Sequence, residues 1–579
     1  MKLLEALELL KRIIPEPASS REILLECGFT PLHLKTFLAA HLSASYPTSH
    51  IEIKTGVYGD LAGNLERLRP SSGSVVCAVV EWSDLDNRLG IRSLGSWRSK
   101  DVADIVESAC RQSERFIRLL NGLAGNVPVY VSPPTLPLPP IFTTPCVQAH
   151  HLECKLREIA ASLTVSITGG VLTKVVNSQL LDELSPFTRR FDPKSEINSG
   201  FPYSLEHASM LAELIATLIR ERPPKKGIIT DLDDTLWDGI LGEIGVDLVS
   251  WGISGSAHLH GLYQRFLESL ASAGVLLAAA SKNDLLLVEK TLGRRDILLS
   301  RDKLYPLEIN WGPKSASVGR ILSEWNIAPD DVVFIDDSPM EVAEVQASFP
   351  KMECIVFPKH DPLAVWELLK RLRDQFGKSV ISSEDDIRLQ SIRTAAAFRD
   401  STHSPELSAD NFLRDAAATL SFSLKADAKD SRALELINKT NQFNLNGKRF
   451  SKSEWLSFLQ DSSSFLLTVT YEDKFGPLGK IAVATGKLID SKVYMDSWVM
   501  SCRAFSRRIE YQCLKYLFDK MRVEEIVFTY EPTPRNGPIQ SFFSDLVGKP
   551  AGPSLSLRKS LFDAKVPALF HRVVDVTND

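Results

Sequence analysis

Asp231 and Asp233 stand two residues apart at the end of a short, apolar, partly β-branched run, Gly227 to Thr230, that reads as a buried parallel strand. In open α/β sheets ligands bind at the carboxyl ends of the strands. Two carboxylates held at that edge repel each other unless a cation lies between them. A lone Asp-x-Asp is more often an acidic turn that caps a helix, but three further signals follow this one in order. GVLLAAAS (Gly274 to Ser281) is another apolar run with a hydroxyl at its end. Lys314, in INWGPKSAS, falls where a helix could begin, and VVFIDD (Val332 to Asp337) is a buried strand ending in paired aspartates. Phosphoryl transfer asks for this mixture: an in-line nucleophile, and neutralisation of the charge on the phosphoryl oxygens.

Strand-Asp-x-Asp, strand-Ser, Lys, strand-Asp-Asp resembles the haloacid dehalogenase-like (HAD) phosphotransferases. The resemblance implies a role for each residue. Asp231 is the nucleophile that forms an aspartyl-phosphate, and Asp233 protonates the leaving oxygen and later activates water. Mg²⁺ binds Asp231, the backbone carbonyl of Asp233, and Asp336, with Asp337 beside it. Ser281 and Lys314 hold phosphate oxygens, the lysine as a compact point charge.

These elements belong to a chain of 579 residues, too long for one core; three or four domains are expected. With 44% hydrophobic and 24% charged residues the composition is that of a soluble globular protein. A net charge of −5 gives no footprint for nucleic acid or an anionic membrane. The opening MKLLEALELLKRII carries Glu5, Glu8, Lys11 and Arg12, so it reads as an amphipathic helix and not a signal peptide. No apolar run approaches the length of a membrane span. Eight cysteines without CxxC or metal-ligand spacing suit a reducing cytoplasm.

The expected class is α/β, with three α/β domains. Residues 1–221 form the first. Arg21 to Cys27, Ser49 to Lys54, Val75 to Glu81 and Val127 to Val131 read as strands, the last an edge strand because of Pro128. CGFTP after the first strand, IKTGVYGDL, and the strand into EWSDLDNRLG resemble the SGNH-hydrolase-like N-terminal domain of FkbH-type proteins, a flavodoxin-like architecture. The nucleophile turn of such hydrolases reads Gly28-Phe29-Thr30 here, without its serine. Glu206 and His207 stand near the place of the late Asp-x-x-His. No triad is assembled from these, and a scaffold or recognition role is expected.

The HAD core occupies 222–375. The stretch between the Asp231 strand and the helix near His260 is too short for an inserted cap domain and suits a small flap, leaving the site open to a substrate tethered to a larger body. Trp237-Asp238-Gly239, Gly242-Glu243, Ser281-Lys282-Asn283 and Ile309-Asn310-Trp311 resemble the FkbH-like branch of the capless HAD proteins, subfamily IIIC. That resemblance implies transfer of the glyceryl group of 1,3-bisphosphoglycerate, with dephosphorylation, to the phosphopantetheine thiol of an acyl carrier protein, in polyketide or related pathways. Ala280 stands where that branch often has a cysteine, so acyl transfer goes directly to the carrier thiol, or another cysteine serves, or the protein is only a phosphatase. A carrier-binding scaffold with a residual HAD core is the alternative of another class.

A charged helical joint, 376–415, leads to the last domain, 416–579. Thr419 to Lys425, Phe465 to Tyr471, Gly479 to Gly486, Lys492 to Met500 and Val523 to Tyr530 read as strands of a mixed sheet. Their alternation with helices resembles the GNAT N-acetyltransferases, and INKTNQFNLNGKRF and DSWVMSCRAFSRRIE resemble the C-terminal part of FkbH-type proteins. The Arg-x-x-Gly-x-Gly/Ala turn of a GNAT is here Arg503 to Arg508, with both glycine positions lost. The resemblance implies a phosphopantetheine site of Cys502, Arg503, Arg507, Arg508 and Asn536; Cys502 itself is either an acyl stop or, as a lone cysteine after an apolar strand, a core residue.

Overall fold

The computed structural model of the chain describes all residues except 13–19, 72, 93–97, 171, 221, 253–256, 380, 382–384, 386, 394–408, 425–430, 462, 475, 502–503, 506, 549–553 and 578–579. It forms two compact units, Met1–Arg222 with Phe450–Asp461, and Pro223–Arg449 with Ser462–Asp579. The segment Phe450–Asp461 therefore groups with the N-terminal unit, whereas the sequence places it in the last domain. Its helix, Lys452–Gln460, is opened by a capping box of Ser451 and Glu454, and its buried Trp455 packs with Phe450 and Phe458 of the same segment.

The first unit carries five parallel strands: β1 (Ser20–Cys27), β2 (His50–Thr55), β3 (Val75–Val79), β4 (Val129–Ser132) and β5 (Thr173–Val175). Their order, β2-β1-β3-β4-β5, is that of flavodoxin-like folds. Alternate residues of β3 feed opposite cores, as the two-residue period requires. Cys77 and Val79 pack with helices Leu32–Ser45 and Leu205–Arg220, whereas Val76 and Ala78 pack with Val102–Ala124 and His151–Thr168. β4 is an interior strand, not an edge. Pro128 lies just ahead of it and only accepts, from the Val76 amide, so its missing N–H leaves no gap in the ladder.

The second unit begins with five more parallel strands: β6 (Gly227–Thr230), β7 (Leu276–Ser281), β8 (Leu304–Ile309), β9 (Val332–Asp336) and β10 (Glu353–Val356). They are ordered β10-β9-β6-β7-β8, the Rossmann arrangement with β6 at its centre. β6, β7 and β9 are buried on both faces and so read as continuous apolar runs; β8 and β10 are half-exposed edges with Pro306, Glu308 and Glu353, which hid them from sequence. Among the described residues no cap domain interrupts the core. The segment after Asp233 is a flap closed at its base by paired backbone bonds between Asp238 and Ser250, with one short helix, Leu241–Ile244.

The remaining strands form a mixed sheet: β11 (Thr419–Ser423), β12 (Phe443–Asn444), β13 (Ser464–Asp473), β14 (Gly476–Ile489), β15 (Lys492–Met500), β16 (Glu525–Thr529), β17 (Ser554–Arg558) and β18 (Arg572–Asp575). Their order is β17-β16-β15-β14-β13-β11-β18. β15 and β16 are parallel and pair only over Lys492–Met495 and Glu525–Phe528; beyond that β12 takes up the free end of β15. Trp498, Phe528, Phe542 and Phe543 form the aromatic centre of this part.

Candidate active site

Asp231 is the first residue beyond β6, and its amide continues the sheet ladder by donating to the Ile335 carbonyl at 2.9 Å. Ser281 closes β7, and Asp336 closes β9, so neighbouring strands deliver all three to one edge. Lys314 opens the helix Lys314–Trp325 that follows β8. All four sequence-predicted residues meet. The Lys314 Nζ lies 2.8 Å from Asp231 Oδ1 and also donates to Asp336 Oδ2. These groups are nearly sealed from solvent, the Lys314, Asp231 and Asp336 side chains being 6%, 7% and 0% exposed.

Burial disfavours the charge on Asp231 and raises its pKa, although the Lys314 charge and hydrogen bonds from Lys314, the Leu232 amide and Ser281 oppose the rise. Asp336 is pushed up to about 6, by burial first and by the Asp231 charge second. Burial also works against the ammonium of Lys314, but Asp231 and Asp336 outweigh it and hold the lysine above its ordinary value.

Asp231, Asp336 and Asp337 bring carboxylate oxygens within 4.8 Å of one another. Beyond the Lys314 ammonium, no hydrogen-bond donor reaches the buried Asp231 Oδ1. Two ammoniums, Lys314 and a Lys359 shared with Asp234, still leave the four carboxylates with excess negative charge, and an all-oxygen donor set suits a hard divalent cation. Asp337 is steadied from outside: its amide donates to Thr235 Oγ1 at 3.0 Å, and Lys359 bridges Asp337 and Asp234 at 2.9 and 2.6 Å. Lys359 was not legible in sequence, since it follows β10 and carries no motif. The Asp233 side chain is not part of this carboxylate triplet.

Asp233 points elsewhere. Its carboxylate accepts from Trp237 Nε1 at 2.9 Å and from Asn283 Nδ2 at 3.0 Å, and burial raises its pKa against those bonds. Trp237 and Asn283 lie in the motifs already singled out, but nothing in sequence says that both grip one carboxylate. A group that must deliver a proton benefits from such a raised pKa. Asn283→Ala should remove a bond that favours the ionised form, lowering kcat for a small phosphoester about 10-fold and moving the alkaline limb of the pH–rate profile upward. A lowered rate with an unmoved limb would mean that Asn283 only supports the fold.

The other predicted residues are not brought to this edge. His207 is fully buried, with Nε2 2.9 Å from Thr135 Oγ1 and Nδ1 2.9 Å from Ser185 Oγ, and burial lowers its pKa to about 3. Both ring nitrogens are thus taken, and Glu206 is an exposed helix residue. Thr30 donates its amide to Gly200. Cys502 and Arg503 lie outside the described residues. Arg507 is buried, with Nε 3.7 Å from Asp473 Oδ2 and its guanidinium over the Tyr471 ring. Arg508 turns the chain at φ 58° and gives its guanidinium to Asp410 and the Ala568 carbonyl. Asn536 is satisfied internally: it donates to the Asn444 and Glu531 carbonyls and accepts from the Thr533 amide and Gln540. Among the described residues, each of these three side chains has a protein partner.

No family profile and no curated protein matches the sequence. Among solved structures, the chain is similar to the N-terminal part of BF1531 from Bacteroides fragilis, which contains a phosphatase domain and was crystallised with Mg: 18% identity, TM-score 0.51, covering 66% of this chain and all of that one. An uncharacterised protein from Corynebacterium glutamicum matches over 26% of this chain and 96% of its own, at 14% identity and a TM-score of 0.18. The first of these likenesses supports the α/β fold class.

Proposed function

We propose that the chain is a Mg²⁺-dependent phosphatase of the HAD type. The observation that carries this reading is the buried cluster of Asp231, Asp336, Asp337 and Lys314 at one sheet edge, with Asp233 held apart from it by Trp237 and Asn283. The solved structure with a phosphatase domain bound to Mg supports the choice of ion. When bound, Mg²⁺ supplies Lewis-acid neutralisation of phosphoryl oxygen charge. A carboxylate oxygen of Asp231 attacks phosphorus, the bond to the leaving oxygen breaks, and Asp233 gives that oxygen its proton. Asp233 then takes a proton from water as the water attacks the phosphorus of the aspartyl-phosphate, releasing phosphate and restoring Asp231. Lys314 and Ser281 hold the phosphoryl oxygens.

The finer reading is that the phosphate leaves in the course of a transfer: a glyceryl or related group passes from 1,3-bisphosphoglycerate to the thiol of an acyl carrier protein. The short flap in place of a cap domain supports a tethered substrate. Ala280 is an alanine buried in the apolar cluster with Ile229, Val318 and Phe334 and offers no thiol, which favours direct transfer to the carrier thiol over a stop at that position. The second reading is plain phosphatase action on a small phosphoester, favoured by the same absence of a thiol. Intact-mass analysis of holo carrier protein after incubation with the enzyme, Mg²⁺ and 1,3-bisphosphoglycerate separates them. A glyceryl adduct is expected from the transfer; released phosphate with an unchanged carrier selects the phosphatase.

The carboxylate environment also sets a pH dependence. A carboxyl whose folded pKa is raised stabilises the metal-free fold at low pH, and that contribution is lost as pH rises through about 6, the value for Asp336. Mg²⁺ competes with the proton, so the gain in Tm on adding Mg²⁺ should be large at about pH 7.5 and vanish below about pH 6. Differential scanning across that range checks it; a gain independent of pH would remove these carboxylates from the metal site.

A further inference from the structure

The loops that follow β6 to β10 share a feature that the chemistry does not use. Leu248 in the flap after β6, Leu286 after β7, Trp311 after β8, Met340 after β9 and Leu363 after β10 are 69%, 72%, 76%, 74% and 70% exposed. Among the described residues of the second unit no other large apolar side chain is more than 57% exposed. Singly exposed apolar residues are ordinary on a protein surface. Here each of five neighbouring parallel strands sends one to the same edge, the edge that carries Asp231. Their backbones are fixed beforehand. The Trp311 turn is closed by the Asn310 amide, which donates to the Ser281 carbonyl at 3.1 Å, and by the Gly312 amide, which donates to Asn310 Oδ1 at 3.0 Å. The Leu286 and Leu363 amides donate to the capping carboxylates of Asp284 and Asp361 at 2.8 and 2.9 Å. Met340 follows Pro339 in the first turn of the helix Pro339–Ser348. Covering such side chains costs little ordering of the chain.

The width of this collar selects what covers it. β10 and β8 are the outer strands of the five, four strand spacings or about 19 Å apart. A small phosphoester reaches only a fraction of that distance; a protein, with a typical interface of roughly 800 Å² on each side, spans it. Charge narrows the choice. Glu243, Asp247, Asp284 and Asp361 are exposed on the same loops. The lysines there are already paired: Lys282 with Glu341 at 2.7 Å, Lys359 with Asp234 and Asp337, and the buried Lys314 with Asp231. An acidic border repels lipid headgroups and nucleic acid, both anionic, and attracts lysine and arginine.

We propose that the collar is the docking face for a protein partner whose apolar patch is edged with lysine and arginine, and which carries a phosphoester to Asp231. Only the phosphoester rests on the phosphatase reading; the docking does not. Fluorescence anisotropy with the full chain carrying Asp231→Asn, in Mg²⁺, measures docking without turnover. The probes are two labelled phosphoserine peptides of equal length, one flanked by leucine and lysine, the other by serine and glutamate. The first should bind at least about 10-fold more tightly, and Leu286→Ser with Met340→Ser should remove that advantage. Glu243→Lys with Asp247→Lys should weaken the first peptide and tighten the second. Without Asp231→Asn, neither pair of changes should alter hydrolysis of p-nitrophenyl phosphate, since all four side chains are exposed. Equal affinity for the two peptides, affinity unmoved by either pair of changes, or binding to phosphatidylserine vesicles in preference to peptide would overturn the proposal; so would hydrolysis falling in step with affinity. Failure of the phosphatase reading looks different: the peptides still bind selectively, and phosphate is released neither from them nor from p-nitrophenyl phosphate.

Discussion

Asp231→Asn should abolish phosphate release, by about 10³-fold or more, and leave the fold in place. The change keeps the shape of a side chain that is 7% exposed and set between β6 and the Lys314 ammonium. It removes the charge that attacks phosphorus and one oxygen ligand of the cation. It also relieves a strained electrostatic arrangement, since burial already disfavours the Asp231 carboxylate. The metal-free variant should therefore be as stable as the parent or more so, while inactive. Steady-state hydrolysis of p-nitrophenyl phosphate and urea unfolding of the same samples check both halves. Retention of most activity would remove Asp231 from the mechanism.

Lys314→Met should fail in both respects. Its ammonium is the cation that lies between Asp231 and Asp336, and all three side chains are at most 7% exposed. Taking one partner from a buried charge cluster leaves the others uncompensated, at a cost of about 3–5 kcal/mol. The two carboxylates answer by binding a proton, so the loss should be largest at neutral pH and smaller below about pH 6, where Asp336 is protonated. Because Mg²⁺ binds the same carboxylates, it should restore much of the stability. It should not restore the rate, which is expected to stay about 10²-fold or more below the parent for want of a charge on the phosphoryl oxygens. Urea unfolding with and without Mg²⁺ measures the first effect. A variant as stable as the parent without metal would contradict the reading of Lys314 as the internal counter-ion.

The parts of this site that sequence made legible are the local ones. Asp231, Ser281 and Asp336 each end an apolar run, and a strand buried on both faces announces itself by an unbroken row of apolar residues. Lys314 was visible because Gly312-Pro313 marks a loop before a helix. What sequence hid depends on neighbours far along the chain. Asn283 meets Asp233 across 50 residues, and Lys359 meets Asp234 across 125. The same limit applies to the Arg503 to Arg508 turn. Two arginines after a strand look like a phosphate clamp, but Arg508 is paired with Asp410, 98 residues away, and Arg507 with Asp473 on β13. Short, half-exposed edge strands such as β5, β10 and β18 lack the periodicity that would reveal them.

The central claim is that a phosphoryl group passes through Asp231, and borohydride trapping tests it most directly. The enzyme is mixed with Mg²⁺ and excess p-nitrophenyl phosphate, quenched in acid during turnover, and treated with borohydride, which reduces an acyl phosphate to an alcohol but leaves free carboxylates alone. Peptide mass spectrometry then locates the reduced residue. The predicted result is reduction at Asp231 alone, dependent on substrate and Mg²⁺ and more abundant in Asp233→Asn, where water is no longer activated. Reduction at another carboxylate, or none while phosphate is being released, would contradict the account.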